Sequence, residues 1–355
     1  MNYKYTLAHG AKQNVGDFLI RDRAISLLEE YTDISKEELY SVDLVRNKLS
    51  QSELATVTET DAVIVAGGPG YQPHFYPGVY PSLAEILDAG TPVYPLGPGW
   101  KGHREDKYEF TESSKKMLRR VYDQIEFGGA RDLPTKRVVE SIGVDNIRLT
   151  GCPAWYDLNR TQEQFTPPES IDSLVVSSPS KGSYQYGPQW VYLMYELSKE
   201  FPDADKYCSF HQGVGHIQGY NTKSIAAYNN IIVRIARKLG FEILDMAGNP
   251  DLLELYRDID LHVGYRVHAH IPFIANGQPS FLIHEDGRGL GVSESLHTVS
   301  GDVTGFGKTA IKTPIDAVMR NIRRNVRTEF SDFTEVDNAI NNTKPKMVEL
   351  IKSLP

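Results

Sequence analysis

The sequence predicts an α/β fold in which two parallel, helix-covered sheets follow one another along the chain. Short apolar runs alternate with segments of helical periodicity almost throughout, the pattern of a sheet covered on both faces. The alternation is interrupted once, by the polar and turn-rich NRTQEQFTPPES before Ser170, and then restarts. A length of 355 residues, 40% hydrophobic and 24% charged, suits two ordinary folded domains.

The elements follow in order. Residues 6–8 end a first strand, and Gly16-Asp17 opens a helical segment with Phe18, Leu19, Ile25, Leu27 and Leu28 at helical spacing. A strand over 62–66 is closed by Gly67-Gly68-Pro69-Gly70, a helix covers 82–89, and a strand over 92–96 is stopped by GPGWKG. A strand is expected at 124–127, running into Gly128-Gly129-Ala130-Arg131-Asp132, then a helix at 135–142 and a strand at 146–150. Beyond the connector, strands are predicted at 174–177, 206–210, 242–244, 261–264 and 280–283, with helices at 189–200, 224–239, 251–257 and 267–276. Charged helices follow at 315–327 and 335–350. The expected organisation is two Rossmann-like domains, 1–160 and 171–310, facing each other across a cleft, with C-terminal helices in 311–355.

Composition removes several classes of function. Lys and Arg number 38 against 46 Asp and Glu, a net charge of −8, the opposite of a nucleic-acid footprint. Cys152 and Cys208 share no metal-binding spacing and cannot build a disulfide framework. No leader-type apolar region opens the chain and no window is apolar enough to span a bilayer, so a cytoplasmic protein without an integral membrane segment is expected.

Ligands of open parallel sheets bind beyond the carboxyl ends of the strands, and those positions are unusually furnished here. Gly10 and Gly16 in HGAKQNVGD permit close backbone approach. AGGPGYQPHFYPG offers the flexible Gly67 and Gly68, stacking faces at Tyr71, Phe75 and Tyr76, and the titratable His74. Neither loop is a G-x-G-x-x-G or a P-loop. Arg131 closes a strand beside Asp132, where its planar fork suits a carboxylate or phosphate, or else a salt bridge. In LHVGYRVHAH a strand gives way to a helix whose first turn carries Arg266, His268 and His270. Positions two apart on a helix diverge by about 200°, so the two histidines cannot face one ligand, and neither makes a credible metal ligand. HEDGRG, with His284, Glu285, Asp286 and Arg288, reads as a solvated charged turn, and FHQGVGH places His211 and His216 in a shaped loop.

These residues resemble the polysaccharide pyruvyl transferases. The likeness runs through NVGDFLI (14–20), VIVAGGPGY (63–71), GGARDLPTKRVVESIGVDNIRLTGCPAW (128–155) and VGYRVHAHIPFIANGQPSFLI (263–283). The last, with its Arg-x-His before a small-residue helix and Gly-x-Pro, is the most specific. The resemblance implies a GT-B-type architecture, transfer of a pyruvyl group from phosphoenolpyruvate to a sugar or glycan as a ketal, and no metal or other cofactor. The family commonly has an acid where this chain has Cys152, and a lysine in the loop that carries Arg288 here.

Under that resemblance Arg131, Arg266, His268 and Arg288 are the expected donor-binding residues, with Arg131 and Arg266 clamping the trianion. His268 is the expected acid or base, and Arg266 and Asp17 complete the catalytic set, Asp17 either orienting an acceptor hydroxyl or capping its helix. Asn14, Gly67, Gly68, Tyr71, His74 and His211 are the expected acceptor side. Two rivals share the architecture: a nucleotide-sugar glycosyltransferase with its base pocket around 177–186, Glu285 and Asp286, and a non-catalytic module that senses an anion or glycan.

Overall fold

The computed structural model describes residues 3–102, 105–160, 165–179, 183–218, 221–298, 300–302 and 310–355. The chain forms two compact units, one of Met1–Ala11, Asp17–Leu158 and Ile340–Pro355, the other of Lys12–Gly16 and Asn159–Ala339. Strands β1–β6 and helices α2–α5 belong to the first unit and β7–β12 and α6–α10 to the second, while α1 and α11 are divided between them.

In the first unit, β1 (Tyr5–Ala8), β2 (Leu39–Val42), β3 (Ala62–Ala66) and β4 (Val93–Leu96) make a parallel sheet in the order β2-β1-β3-β4. Every residue of β1, β3 and β4 is buried, as a sheet covered on both faces requires. Helices α1 (Val15–Tyr31), α2 (Gln51–Thr58), α3 (Leu83–Asp88), α4 (Glu112–Tyr122) and α5 (Leu133–Glu140) connect the strands. Of α1, residues from Asp17 onward belong to this unit.

The expected strand at 124–127 lies further along, as β5 (Gly128–Ala130), paired in parallel with β6 (Ile147–Leu149). Gln124 and Ile125 are still closing the turn after α4, their N–H groups bonded to Val121 O and Tyr122 O. The pair lies beside β4, whose Pro95 has no N–H to give to a ladder. The apolar-run criterion passes over β2, α2 and α4, because β2 is an edge strand with two of four residues outside the core. Capping fixes α2 and α4 instead: Ser50 and Glu53 form a capping box on α2, and Thr111 accepts from the Ser114 N–H on α4.

The second unit is built on β7 (Ser173–Ser177), β8 (Asp205–Phe210), β9 (Phe241–Asp245), β10 (Leu261–Gly264), β11 (Ser280–His284) and β12 (Ser300–Asp302), all parallel, in the order β12-β11-β10-β7-β8-β9. Its helices are α6 (Ser183–Glu200), α7 (Lys223–Lys238), α8 (Val267–Ala275), α9 (Gly287–Leu296), α10 (Lys312–Arg327) and the first residues of α11 (Thr334–Lys352). The helix expected at 251–257 is a 3₁₀ segment, Pro250–Asp258.

Strand order identifies where each sheet can hold a ligand. The chain leaves β7 toward β8 and β9 and returns on the other side as β10. In the first unit it leaves β1 toward β2 and returns as β3. Such reversals open a crevice at the carboxyl ends of the two diverging strands. The crevices fall at Ser177 and Gly264 in one sheet, and at Ala8 and Ala66 in the other. Among the described residues, no helix is long and apolar enough to cross a membrane.

Candidate active site

The reversal in the second unit places the richest chemistry. Arg266, just past β10, is 8% exposed; its N–H donates to Ser177 Oγ at 3.1 Å and its Nη2 to Gln212 Oε1 at 2.9 Å. Ser177 ends β7 and Gln212 follows β8, so the ends of β7 and β8 hold the backbone and the guanidinium of a residue that itself follows β10.

His268 stands half-buried in the first turn of α8. The segment Lys12–Gly16, which runs into the first turn of α1, packs on the same edge. Val15 N–H donates to His211 O at 3.3 Å, and Gly248 N–H donates to Gln13 O at 2.8 Å. A Cβ on Gly16 would stand 2.2 Å from His268 Nδ1 and 2.5 Å from its Cβ. Glycine is therefore what lets this loop reach the imidazole.

The neighbouring histidines are structural. His270 is fully buried with Nδ1 on Ser280 Oγ at 2.7 Å, and burial followed by the nearby His284 lowers its pKa to about 3. His211, expected on the acceptor side, is also fully buried, its Nε2 on Tyr256 Oη at 2.8 Å. Burial first, then Arg266, His268 and His262, hold it neutral, well below the usual histidine range. The ring of His211 is thus part of the core of the second unit.

The HEDGRG loop is not a solvated turn. His284 is buried with Nε2 on Ser293 Oγ at 2.9 Å. Asp286 caps α9 by accepting from Arg288 N–H and holds the Arg288 guanidinium through Nε and Nη2 at 2.7–2.9 Å. That chelate engages the fork through which Arg288 was expected to bind the donor.

In the first unit Gly67 and Gly68 follow β3 with φ of +47° and +72°, backbone that glycine adopts without strain. Open space lies where a Gly68 side chain would be, whereas one on Gly67 would meet Cys152 Sγ at 2.9 Å. Arg131 is 3% exposed, its Nε donating to Asp132 Oδ2 at 2.7 Å and its Nη2 to Trp100 O at 3.2 Å. Asp132 also caps α5, accepting from Thr135 N–H and Oγ1. Of the two readings open for Arg131, the geometry is that of a salt bridge, made with its own neighbour in sequence.

Tyr71 is a core residue and not a stacking face: it is 1% exposed, its Oη lies 2.7 Å from Tyr122 Oη, and with Phe75 and Tyr80 it lines an apolar cavity of about 20 Å³. His74 is exposed and Tyr76 half-buried. Asn14 and Asp17 are half-buried, just before and within the first turn of α1, where an acidic side chain complements the helix dipole.

Cys152 is 2% exposed, and burial pushes its thiol up to about 11 against the opposing pull of the Ala154 N–H, Arg131 and the Gly68 N–H. Cys208 is fully buried and shifted upward by the same cause. Since the thiolate is the reactive form, neither cysteine should react with an aromatic disulfide reagent in the native protein at pH 8. Both should react once urea unfolds the chain. Rapid native labelling of either would overturn this placement.

Sequence reasoning brought out Arg266 and His268 but not Ser177 or Gln212 as their supports. A serine at a strand end and a glutamine in a loop carry no pattern, and only the strand order brings them to Arg266. Among the described residues, no group of three His, Cys, Asp or Glu side chains is placed to hold a metal ion.

The sequence matches the family described as polysaccharide pyruvyl transferase over residues 14–286. No curated protein matches it. Among solved structures, it is similar to the MnaA–UDP co-structure from S. aureus, with TM-score 0.56, 11% identity and coverage of 99% of this chain and 96% of that one. A glycosyltransferase from Rickettsia africae gives 0.56 and 14%, covering 99% and 98%. UDP-GlcNAc 2-epimerase from Neisseria meningitidis bound to UDP-GlcNAc gives 0.54 and 12%, covering 99% of each chain. Likeness at these identities is a statement of fold, and that fold is of the GT-B type.

Proposed function

The chain belongs to the polysaccharide pyruvyl transferase family, and from that premise we propose that it transfers the pyruvyl group of phosphoenolpyruvate to a sugar of a glycan or glycan precursor, in the cytoplasm, leaving a cyclic ketal. The observation that supports this most is the Arg266-x-His268 turn at the strand-order reversal of the second unit, inside the matched segment.

The chemistry balances on these groups. One sugar hydroxyl adds to C2 of the enol, and the methylene carbon gains a proton to become methyl. The second hydroxyl then displaces phosphate from C2 and closes the ring. The two hydroxyl protons end on the methyl group and on the departing phosphate, so no oxidant or reductant is needed. Arg266 binds the donor's anionic groups through its fork. His268, the imidazole on the same turn, carries the proton between hydroxyl and donor. No metal enters this scheme, because the arginine supplies the positive charge. Gly68, with its backbone open beyond β3, is our choice for the acceptor side.

The test is a thermal melt with phosphoenolpyruvate and, separately, a UDP-sugar. A ligand at about 100 times its Kd stabilises by roughly 2.7 kcal/mol. Millimolar phosphoenolpyruvate should therefore raise the melting temperature by several degrees, and Arg266→Ala should lose that rise while melting normally unliganded. A rise with the UDP-sugar alone would replace this reading with the glycosyltransferase one, whose expected base pocket includes residues 180–182, outside the described residues.

A further inference from the structure

Beneath α8 a line of four fully buried polar side chains crosses the second sheet. Ser177 Oγ lies 2.8 Å from His262 Nε2; His262 Nδ1 lies 2.6 Å from Ser280 Oγ; and Ser280 Oγ lies 2.7 Å from His270 Nδ1. Both ends of the line meet the same helical turn. Arg266 N–H donates to Ser177 Oγ, and His270 N–H donates to Arg266 O at 3.0 Å. The hydrogen bonds thus close a ring around residues 266–270, with His268 in its middle.

We propose that Ser177, His262 and Ser280 are positioning residues that pin the first turn of α8 to the sheet, and so aim Arg266 and His268 at the donor. Arg266 occupies the N-cap position. Since N3 is Ala269, the Arg266 backbone N–H, which a Glu or Gln at N3 would meet in a capping box, is met instead by the serine of the adjoining strand. Space is kept for it: Gly264 pairs with Ser177 in register, and a Cβ on Gly264 would stand 2.4 Å from Ser177 Oγ.

Proton accounting shows that the ring is specific. Burial holds both His262 and His270 neutral, so each carries one N–H. Ser280 has one hydrogen and faces a ring Nδ1 on each side; it donates to one and accepts from the other. The two histidines must therefore be opposite tautomers, one protonated at Nδ1 and the other at Nε2. The Nε2 of His270 meets no hydrogen-bond partner among the described residues. With the proton of His270 on Nδ1, that of His262 lies on Nε2 and is donated to Ser177 Oγ; with the proton of His270 on Nε2, the Ser177 hydroxyl donates to His262 Nε2 instead.

The part of this inference that concerns the donor rests on the function proposed above. Ser280→Ala is the decisive variant, because it breaks the ring at the start of β11 without touching Arg266 or His268. Histidine ¹⁵N spectra of the wild type should show His262 and His270 as opposite neutral tautomers. In Ser280→Ala, hydrogen exchange of the amides in 266–270 should quicken by about tenfold, the scale of one lost hydrogen bond. At a temperature where the variant is fully folded, kcat/KM for phosphoenolpyruvate should fall by a similar factor, with KM rising. Unchanged exchange, His262 and His270 in the same tautomer, or quickened exchange with kcat/KM within twofold of wild type would each overturn the proposal. A wild type that does not turn over phosphoenolpyruvate would overturn the proposed function instead, leaving the pinning of 266–270 to be decided by tautomers and exchange.

Discussion

Gly16→Ala should lower turnover by as much as His268→Asn, on the order of 10²-fold, the usual weight of a general acid or base. Local propensity argues the other way. Gly16 lies in the first turn of α1, where alanine is better than glycine by up to about 1 kcal/mol, so the substitution would be expected to leave the protein as stable or more so. Packing decides against that. The new methyl would meet not only the ring nitrogen of His268 but its Cβ, 2.5 Å away, and a Cβ cannot swing aside as the end of a flexible chain can. The loop or the start of α8 must move, carrying the imidazole by several tenths of an ångström or more. Displacement of that size is enough to spoil proton transfer. Steady-state phosphate release and a melt for each variant measure the effect, with Gly215→Ala as control, since open space surrounds a Cβ there. Gly16→Ala that is as active as wild type would show that His268 does not work from this position.

That pair also shows what a sequence can and cannot say. Gly16 was recognisable as a site of close approach, and His268 as a site of chemistry, yet nothing in the spacing of residues 16 and 268 joins them; the packing of Lys12–Gly16 on the second unit does. The β-α alternation was legible wherever apolar runs were uninterrupted, as in β3 and β10, where every residue is buried. It was illegible in β2 and β5, an edge strand and a glycine pair whose pairing comes from neighbours. Candidate residues suffered from the same blindness. Tyr71 and His211 have the right chemistry in the right loops, but burial decides whether a ring faces a ligand or the core, and burial is a tertiary property. Arg131, Arg266 and Arg288 look alike in sequence. Geometry separates them, because Asp132 and Asp286 hold two of the forks while Gln212, a neutral amide, orients the third.

Acidification from pH 7.5 to 5 should remove most of the protein's stability, by protonating histidines that the fold keeps neutral. His211, His262 and His270 are each fully buried with the pKa shifted downward, chiefly by desolvation. In the unfolded chain the same rings titrate near 6.5. Above that value neither state binds the extra protons, and the stability is fully present. Below it the unfolded chain takes up protons that the native state refuses, so stability falls as pH falls, and for His270 continues to fall toward about 3. Each such ring contributes a slope of about 1.4 kcal/mol per pH unit, and three together roughly 4. Over the span from 6.5 to 5 that is about 6 kcal/mol, comparable with the whole stability of a typical domain, 5–15 kcal/mol. Carboxylates titrate mostly below this window, so the early loss belongs to the imidazoles. Urea midpoints at pH 7.5, 6.5 and 5.5 should be nearly level across the first interval and drop steeply across the second. His270→Gln should reduce the steepness by about one proton. Midpoints that stay level down to pH 5.5 would mean that the three rings are not sealed from water, and the tautomer accounting under α8 would lose its premise.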